Sequence, residues 1–437
     1  MASTTAPLSQ PIAPHLSAGR ERYTDYPMAM GVLTTIFFMW GFLTCLNDIL
    51  IPHLKSIFQL DYAQAMLVQF TFFGAYFLMA LPAGWLIAAV GYKKGIVVGL
   101  AIAGLGALGF WPAADLHLYP AFLGALFVLA TGITVLQVAA NPYVALLGPE
   151  RTSSSRLTLA QALNSFGTFL APWFGGLLIL SNVVKTPTEL ATLAAPQQLV
   201  YQTQQAHAVQ GPYIGLAVVL FLLAIFVWLF RLPALTEATD KGDHERHGFL
   251  EVLRHPHVLF GVLGIFFYVG AEVSIGSFMV NYLSMPNIGH MSEQQAAHYV
   301  SFYWLGAMVG RFIGSALMAK ISPRVLLTIF AAINALLVIT TMVSSGDAAV
   351  YSIIAIGLFN SIMFPTIFAL GIEHLGPLTS KASSLLIMAI VGGAVLPYVQ
   401  GLFADYMGLQ HSFFVPLLCY LYILFYGVRG SRVRVGD

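Results

Sequence analysis

Asp48 lies in the apolar stretch Phe37-Phe38-Met39-Trp40-Gly41-Phe42-Leu43-Thr44-Cys45-Leu46-Asn47-Asp48-Ile49-Leu50, inside a segment long enough to cross a bilayer. Acidic residues are nearly absent from the other apolar stretches, and no Lys or Arg of the same half of the chain lies at this depth. An unpaired carboxylate there is costly and is a functional group by default, so Asp48 is expected to take up and release protons. Thr44 shares its helical face one turn earlier, and Asn47 is its neighbour. Lys55 is on the same face but roughly 10 Å further along by helix rise, too far for a tight pair.

A second group of polar residues suits a different chemistry. Gln137 and Asn141 are four apart, and Gln161 and Asn164 are three apart, so each pair shares a helix face. Four amides on adjacent helices form a neutral set of donors and acceptors. A sugar needs such a set, because each hydroxyl both gives and accepts a hydrogen bond. The alternative is interhelical glue, since amides pair across membrane helices. Phe38, Trp40, Tyr143, Phe267, Tyr268, Tyr303 and Trp304 are candidates to stack on the apolar face of a sugar ring, or simply to pack.

In the second half of the chain Ser277 and Asn281 share a face that should look into a cavity. Glu272 is five residues before Ser277, about 140° round a regular helix, and is expected to point elsewhere. It either pairs with the buried Arg311 or serves as a second proton site or as cavity lining. Asn360 and Gln400 are further cavity candidates, and His374 marks either a gate or a solvated helix end. No nucleophile–base pair, phosphate loop or metal-ligand spacing is present in the sequence, so no enzyme activity, cofactor or metal is expected.

These residues must be positioned in lipid. The chain has 437 residues, 58% hydrophobic and 8% charged, against about 25% charged in soluble domains. So apolar a surface requires a membrane, and a net charge of +1 argues against nucleic acid. The cysteines, Cys45 and Cys419, both lie in apolar segments and predict no disulfide framework. Twelve apolar stretches are expected: 28–53, 63–90, 94–113, 118–147, 156–182, 211–231, 255–285, 296–320, 324–345, 350–374, 382–405 and 411–430. Of the 19 Lys and Arg residues, all but Lys55, Lys185 and Arg311 fall on one side of these spans, which predicts that both termini are cytoplasmic. The expected organisation is a tail over 1–27, a six-helix bundle over 28–231, a charged linker over 232–254, a second bundle over 255–430 and a tail over 431–437. The Gln/Thr/Ala-rich segment 183–210 reads as the longest outer loop.

The halves repeat at an offset of about 225–230 residues. Phe37-Phe38…Gly41 matches Phe266-Phe267…Gly270, and Gly84 matches Gly314. Asn141-Pro142-Tyr143…Gly148-Pro149 matches Phe364-Pro365-Thr366…Gly376-Pro377, and Pro172 matches Pro397. Two parallel six-helix halves define an all-α membrane protein with a major facilitator fold, in which a ligand binds near the midplane and rocking exposes it to each side. The stretch Gly84-Trp85-Leu86-Ile87-Ala88-Ala89-Val90-Gly91-Tyr92-Lys93-Lys94 resembles that superfamily's Gly-x-Leu-x-Asp-x-x-Gly-x-basic-basic loop, with Ala88 where the acid usually stands.

Longer strings narrow the resemblance. Phe38-Met39-Trp40-Gly41, Leu46-Asn47-Asp48-Ile49-Leu50-Ile51-Pro52, Gln137-Val138-Ala139-Ala140-Asn141-Pro142-Tyr143, Ala160-Gln161-Ala162-Leu163-Asn164, Gly270-Ala271-Glu272-Val273-Ser274 and Phe364-Pro365-Thr366 resemble the fucose/galactose/glucose–proton symporter family, and within it the glucose/galactose branch. The resemblance implies proton-coupled uptake of a monosaccharide across a bacterial inner membrane, with Asp48 as the proton site. Fucose-transporting members carry a second acid where this chain has Gln137, so the resemblance favours an aldohexose or an amino sugar such as N-acetylglucosamine. The expected partners are sugar, protons and lipid, and the expected state is a monomer. A proton-independent sugar uniporter and a drug–proton antiporter remain open readings of the same residues.

Overall fold

The computed structural model describes residues 26–58, 62–116, 118–178, 194–233 and 249–433. Most of the expected linker and tails fall outside the described residues. The first half consists of α1 (Tyr26–Phe58), α2 (Tyr62–Val90), α3 (Tyr92–Leu116), α4 (Tyr119–Leu146), α5 (Ser153–Leu178) and α6 (Ala195–Leu229). The second half begins with α7 (Pro256–Leu283), α8 (Glu293–Met318) and α9 (Pro323–Val343). Its tenth span is divided into α10 (Gly346–Asn360) and α11 (Met363–Gly371), and its eleventh into α12 (Thr379–Met388) and α13 (Gly392–Met407). Helix α14 (Phe414–Phe425) completes it.

Local chemistry sets where these helices start. Proline occupies the first or second position of α4, α7 and α9, where its missing N–H goes unmissed. Helix α8 opens on a capping box, with the Gln295 N–H bound to Ser292 Oγ and Gln295 Oε1 accepting from the Ser292 N–H. The end of α4 is closed by Arg156 of α5, which reaches back to the Val144, Ala145, Gly148 and Pro149 carbonyls. Repeat symmetry is visible in the packing. A side chain at Gly41 of α1 would overlap the Asn164 carbonyl of α5, and one at Gly270 of α7 would overlap Leu396 of α13.

Eleven helices among the described residues are long and apolar enough to cross a membrane. Helix α5 is not one of them, because its inner face carries Thr158, Gln161, Asn164, Ser165 and Thr168. Large apolar side chains such as Phe70, Trp85, Leu229 and Tyr406 are exposed on the outside, the pattern of a lipid-facing surface. The expected outer loop 183–210 is corrected in part, since α6 is helical from Ala195, while its apolar, membrane-crossing part begins at Gln210, beside the expected start at 211. Ala and Gln are good helix formers, so a stretch with too little apolar length to span a membrane still extends the helix.

Internal prolines shape two spans in parallel. Pro142 in α4 has no N–H to give to the Val138 carbonyl, and Pro365 in α11 has none for the Ser361 carbonyl. Each carbonyl finds a side-chain donor instead. Ser383 Oγ of α12 binds Val138 O at 3.0 Å, and Arg311 Nε of α8 binds Ser361 O at 3.3 Å. The first of these bonds crosses between the halves; the second stays within one.

Candidate functional site

The halves meet along α5 with α8 and α11, and along α2 and α4 with α12. Polar side-chain contacts join them at four places that bear on the seam. They are Arg311 to the Ser165 hydroxyl, Ser383 to Val138 O, Ser155 with Ser315 (Oγ to carbonyl, 2.7 Å and 2.8 Å in the two directions), and Glu150 with His374. In the last, the His374 N–H donates to Glu150 Oε1 at 3.2 Å and the ring Nδ1 lies 3.5 Å from the other oxygen. Nearby, Arg324 pairs with Glu373. These contacts cluster toward the end that carries Lys93, Lys94, Arg151 and Arg324, hereafter the basic end.

Above this seam lies a cavity of about 670 Å³ walled by both halves. That size falls in the range of small-molecule pockets, about 300–1,000 Å³. The first half supplies a neutral polar wall. Gln137 of α4 and Gln161 and Asn164 of α5 face inward, and Ser165 and Thr168 continue the α5 stripe one turn on. Gln137 Nε2 donates to the buried Tyr76 hydroxyl at 2.6 Å, which fixes the amide and leaves Oε1 without a protein partner. Asn164 Nδ2 donates to Phe37 O at 3.0 Å, tying the wall to α1. Trp40, Thr44, Phe72 and Phe73 complete this side.

The opposite wall is charged as well as aromatic. Tyr268, Glu272 and Ser277 of α7 and Trp304 and Arg311 of α8 line it. Here the expectation that Glu272 points away is corrected, because Glu272 and Ser277 both reach the cavity. Helix α7 stands far enough into the cleft that an arc of at least 140° of its surface is exposed to it. Tyr268 donates to Glu272 Oε1 at 2.7 Å. The alternative of a direct ion pair with Arg311 is also corrected, as no Glu272–Arg311 contact forms within salt-bridge distance. The Arg311 guanidinium is held by Ser361 and Ser165.

Several expected wall residues sit elsewhere. Asn360 is fully buried behind the wall, giving to Tyr303 Oη at 2.7 Å and accepting from Asn334 at 2.8 Å and Tyr420 at 2.7 Å. It joins α8, α9, α10 and α14 and does not meet the cavity. Asn141 is 0% exposed and lies beneath the floor, with neither amide atom bonded. An amide buried in that condition costs about 1–3 kcal/mol. Phe38 packs on Phe166, with ring centroids 5.9 Å apart, rather than on the cavity. Asn281 is exposed and does not line the cavity. Gln400 is buried against Ser412. Asn47 and Asp48 belong to α1, but their side chains lie outside the described residues. The sequence reading missed Ser165 and Thr168, which follow Gln161 and Asn164 at the same i+4 spacing and were therefore detectable. It also missed Tyr76, for which no sequence signal existed.

The arrangement offers neutral hydrogen-bonding groups on one side, aromatic faces on both, and one carboxyl and one guanidinium opposite. Comparison with known proteins gives a consistent result. The profile of the Major Facilitator Superfamily matches residues 29–396. A glucose/galactose transporter of Brucella abortus biovar 1 (strain 9-941) is 49% identical over 430 residues, covering 98% of this chain and 100% of that protein. The L-fucose-proton symporter of Escherichia coli (strain K12) is 36% identical over 415 residues, 94% of each. A crystal structure of the transporter FucP in the outward conformation superposes with a TM-score of 0.87 at 34% identity, covering 94% of this chain and 100% of that one.

Proposed function

The chain belongs to the Major Facilitator Superfamily, and from that premise we propose that it carries a hexose, glucose or galactose, inward with a proton across a bacterial inner membrane. The observation that carries this reading is the wall of Gln137, Gln161 and Asn164 facing Trp304 and Tyr268 in a cavity shared by both halves. Amides and aromatic faces suit a polyol ring, whereas the Arg311 guanidinium in the same wall as Glu272 disfavours a lipophilic cation. The relatives described as glucose/galactose and fucose–proton carriers support the substrate class and the coupling.

In this reading the basic end is cytoplasmic, as the Lys and Arg distribution suggests, and the seam is the closed inner gate of an outward-facing state. Asp48 takes a proton from outside, the sugar binds the amide wall, and the doubly loaded chain rocks. A bare carboxylate would oppose closure around it. Release of sugar inside lets the proton leave.

Adding glucose or galactose to lightly buffered, energy-depleted cells that express the chain should alkalinise the medium. Uptake without that pH rise supports a uniporter and overturns the coupling. Competition by N-acetylglucosamine in the same assay tests whether an amino sugar is also admitted. Gln137→Leu removes a wall amide and strands Tyr76, and should raise the half-saturating sugar concentration about 10–100-fold, equivalent to about 1.4–2.7 kcal/mol. An unchanged value would remove Gln137 from the binding wall.

A further inference from the structure

Asn141 and Asn360 are both 0% exposed amides, yet they are treated in opposite ways. Asn360 has three protein partners and is a structural junction. Asn141 has none for either atom. It lies one turn beyond the wall residue Gln137, on the same face of α4 and toward the basic end. On α5 the same extension occurs. Thr158 lies three residues before the wall residue Gln161, again on one face and toward the basic end, 0% exposed and with Oγ1 unbonded. Across the seam, Ser380 of α12 is 1% exposed and its Oγ also lacks a partner. Its register matches, for Ser383 is bonded to Val138, and Ser380 and Asn141 each lie three residues from that bond toward the basic end.

The polar stripe of the cavity thus continues beneath its floor into the part that the seam now closes. Packed hydrocarbon would seal a permanent interface better than unbonded amide and hydroxyl groups. Such groups have a use only if the interface opens and something polar enters. Their chemistry is that of the cavity wall, neutral donors and acceptors with no charge. Building on the transport reading above, we propose that Asn141, Thr158 and Ser380 form a second, inner subsite for sugar hydroxyls. It is occluded in this state and engages the sugar on its way to the cytoplasm after α12 parts from α4.

The test uses the full-length chain in right-side-out and inside-out membrane vesicles, with glucose exchange measured from each face. Asn141→Leu keeps the branched heavy-atom skeleton and removes the amide. It should raise the half-saturating glucose concentration about tenfold at the cytoplasmic face and leave the outer face unchanged. Thr158→Val should act in the same direction. Equal changes at both faces, or none at either, overturn the proposal. Should Asn141→Leu fail to reach the membrane, Asn141→Cys in a chain lacking Cys45 and Cys419 gives a second reading. An impermeant maleimide should label it from the cytoplasmic face only, with glucose slowing the reaction. Labelling from neither face, or labelling that glucose leaves unaffected, overturns the subsite. If unmodified vesicles move no hexose, the transport reading fails on that ground alone, while labelling of Asn141→Cys still reports whether the path opens there.

Discussion

Asp48→Asn should abolish uphill accumulation of sugar while leaving exchange intact. Asparagine matches aspartate in shape and keeps a hydrogen-bonding tip, but it cannot release a proton. One coupled charge is worth about 2.3 kcal/mol per 100 mV of membrane potential, or about a 50-fold sugar gradient. In the variant that gradient should fall to unity, and the pH rise on sugar addition should vanish with it. Radiolabelled counterflow should persist, because the binding wall of Gln137, Gln161 and Asn164 is untouched. If the variant still concentrates sugar, Asp48 is not the proton carrier. Glu272 provides the comparison, being the acid that the structure places in the opposite wall, bound to Tyr268. Retained accumulation in Glu272→Gln would leave Asp48 as the sole coupling site, and its loss would make the two acids a relay.

Gly84→Val should stop transport at the gate rather than in the cavity. Any Cβ at position 84 would overlap the Ser384 hydroxyl and come within 3.0 Å of Ser384 Cβ, so α2 and α12 cannot close as they do here. Overpacking of this kind costs about 1–3 kcal/mol, enough to shift the population of the closed state by up to about 100-fold. Uptake should fall by a similar factor while the protein remains folded, since the strain is relieved as soon as the halves part. A disulfide trap formed by Ser155→Cys with Ser315→Cys should close in the otherwise unchanged chain, given the contact between those serines, and should lose its yield in the Gly84→Val background. Unchanged trapping and uptake would show that the seam tolerates the side chain.

Helical spacing made the faces of this site readable, and depth was what it could not supply. Gln137, Gln161, Asn164 and Ser277 do share the cavity, as their i+3 and i+4 intervals suggested. Asn141 follows the same rule but falls below the floor, because the height at which two halves close is a property of their packing and not of either helix. Asn360 failed as a wall residue for a related reason. Three partners on α8, α9 and α14 draw it inward, and none of them is adjacent in sequence. Glu272 reaches the cavity, the lining alternative, although a regular helix turns it about 140° from Ser277, because α7 presents a wide arc to the cleft. The two-half architecture was legible because the repeat and the basic-residue asymmetry both report on the whole chain, whereas the helical start of α6 was hidden by its polarity.

The two proline-freed carbonyls are served differently, and that breaks the equivalence of the halves. Ser361 is held by an arginine of its own half, a bond that rocking of one half against the other need not break, while Val138 borrows a hydroxyl from across the divide and forfeits it whenever the seam at the basic end opens. In a rocking carrier the first-half span alone therefore trades a protein partner for water or ligand at each opening of the seam.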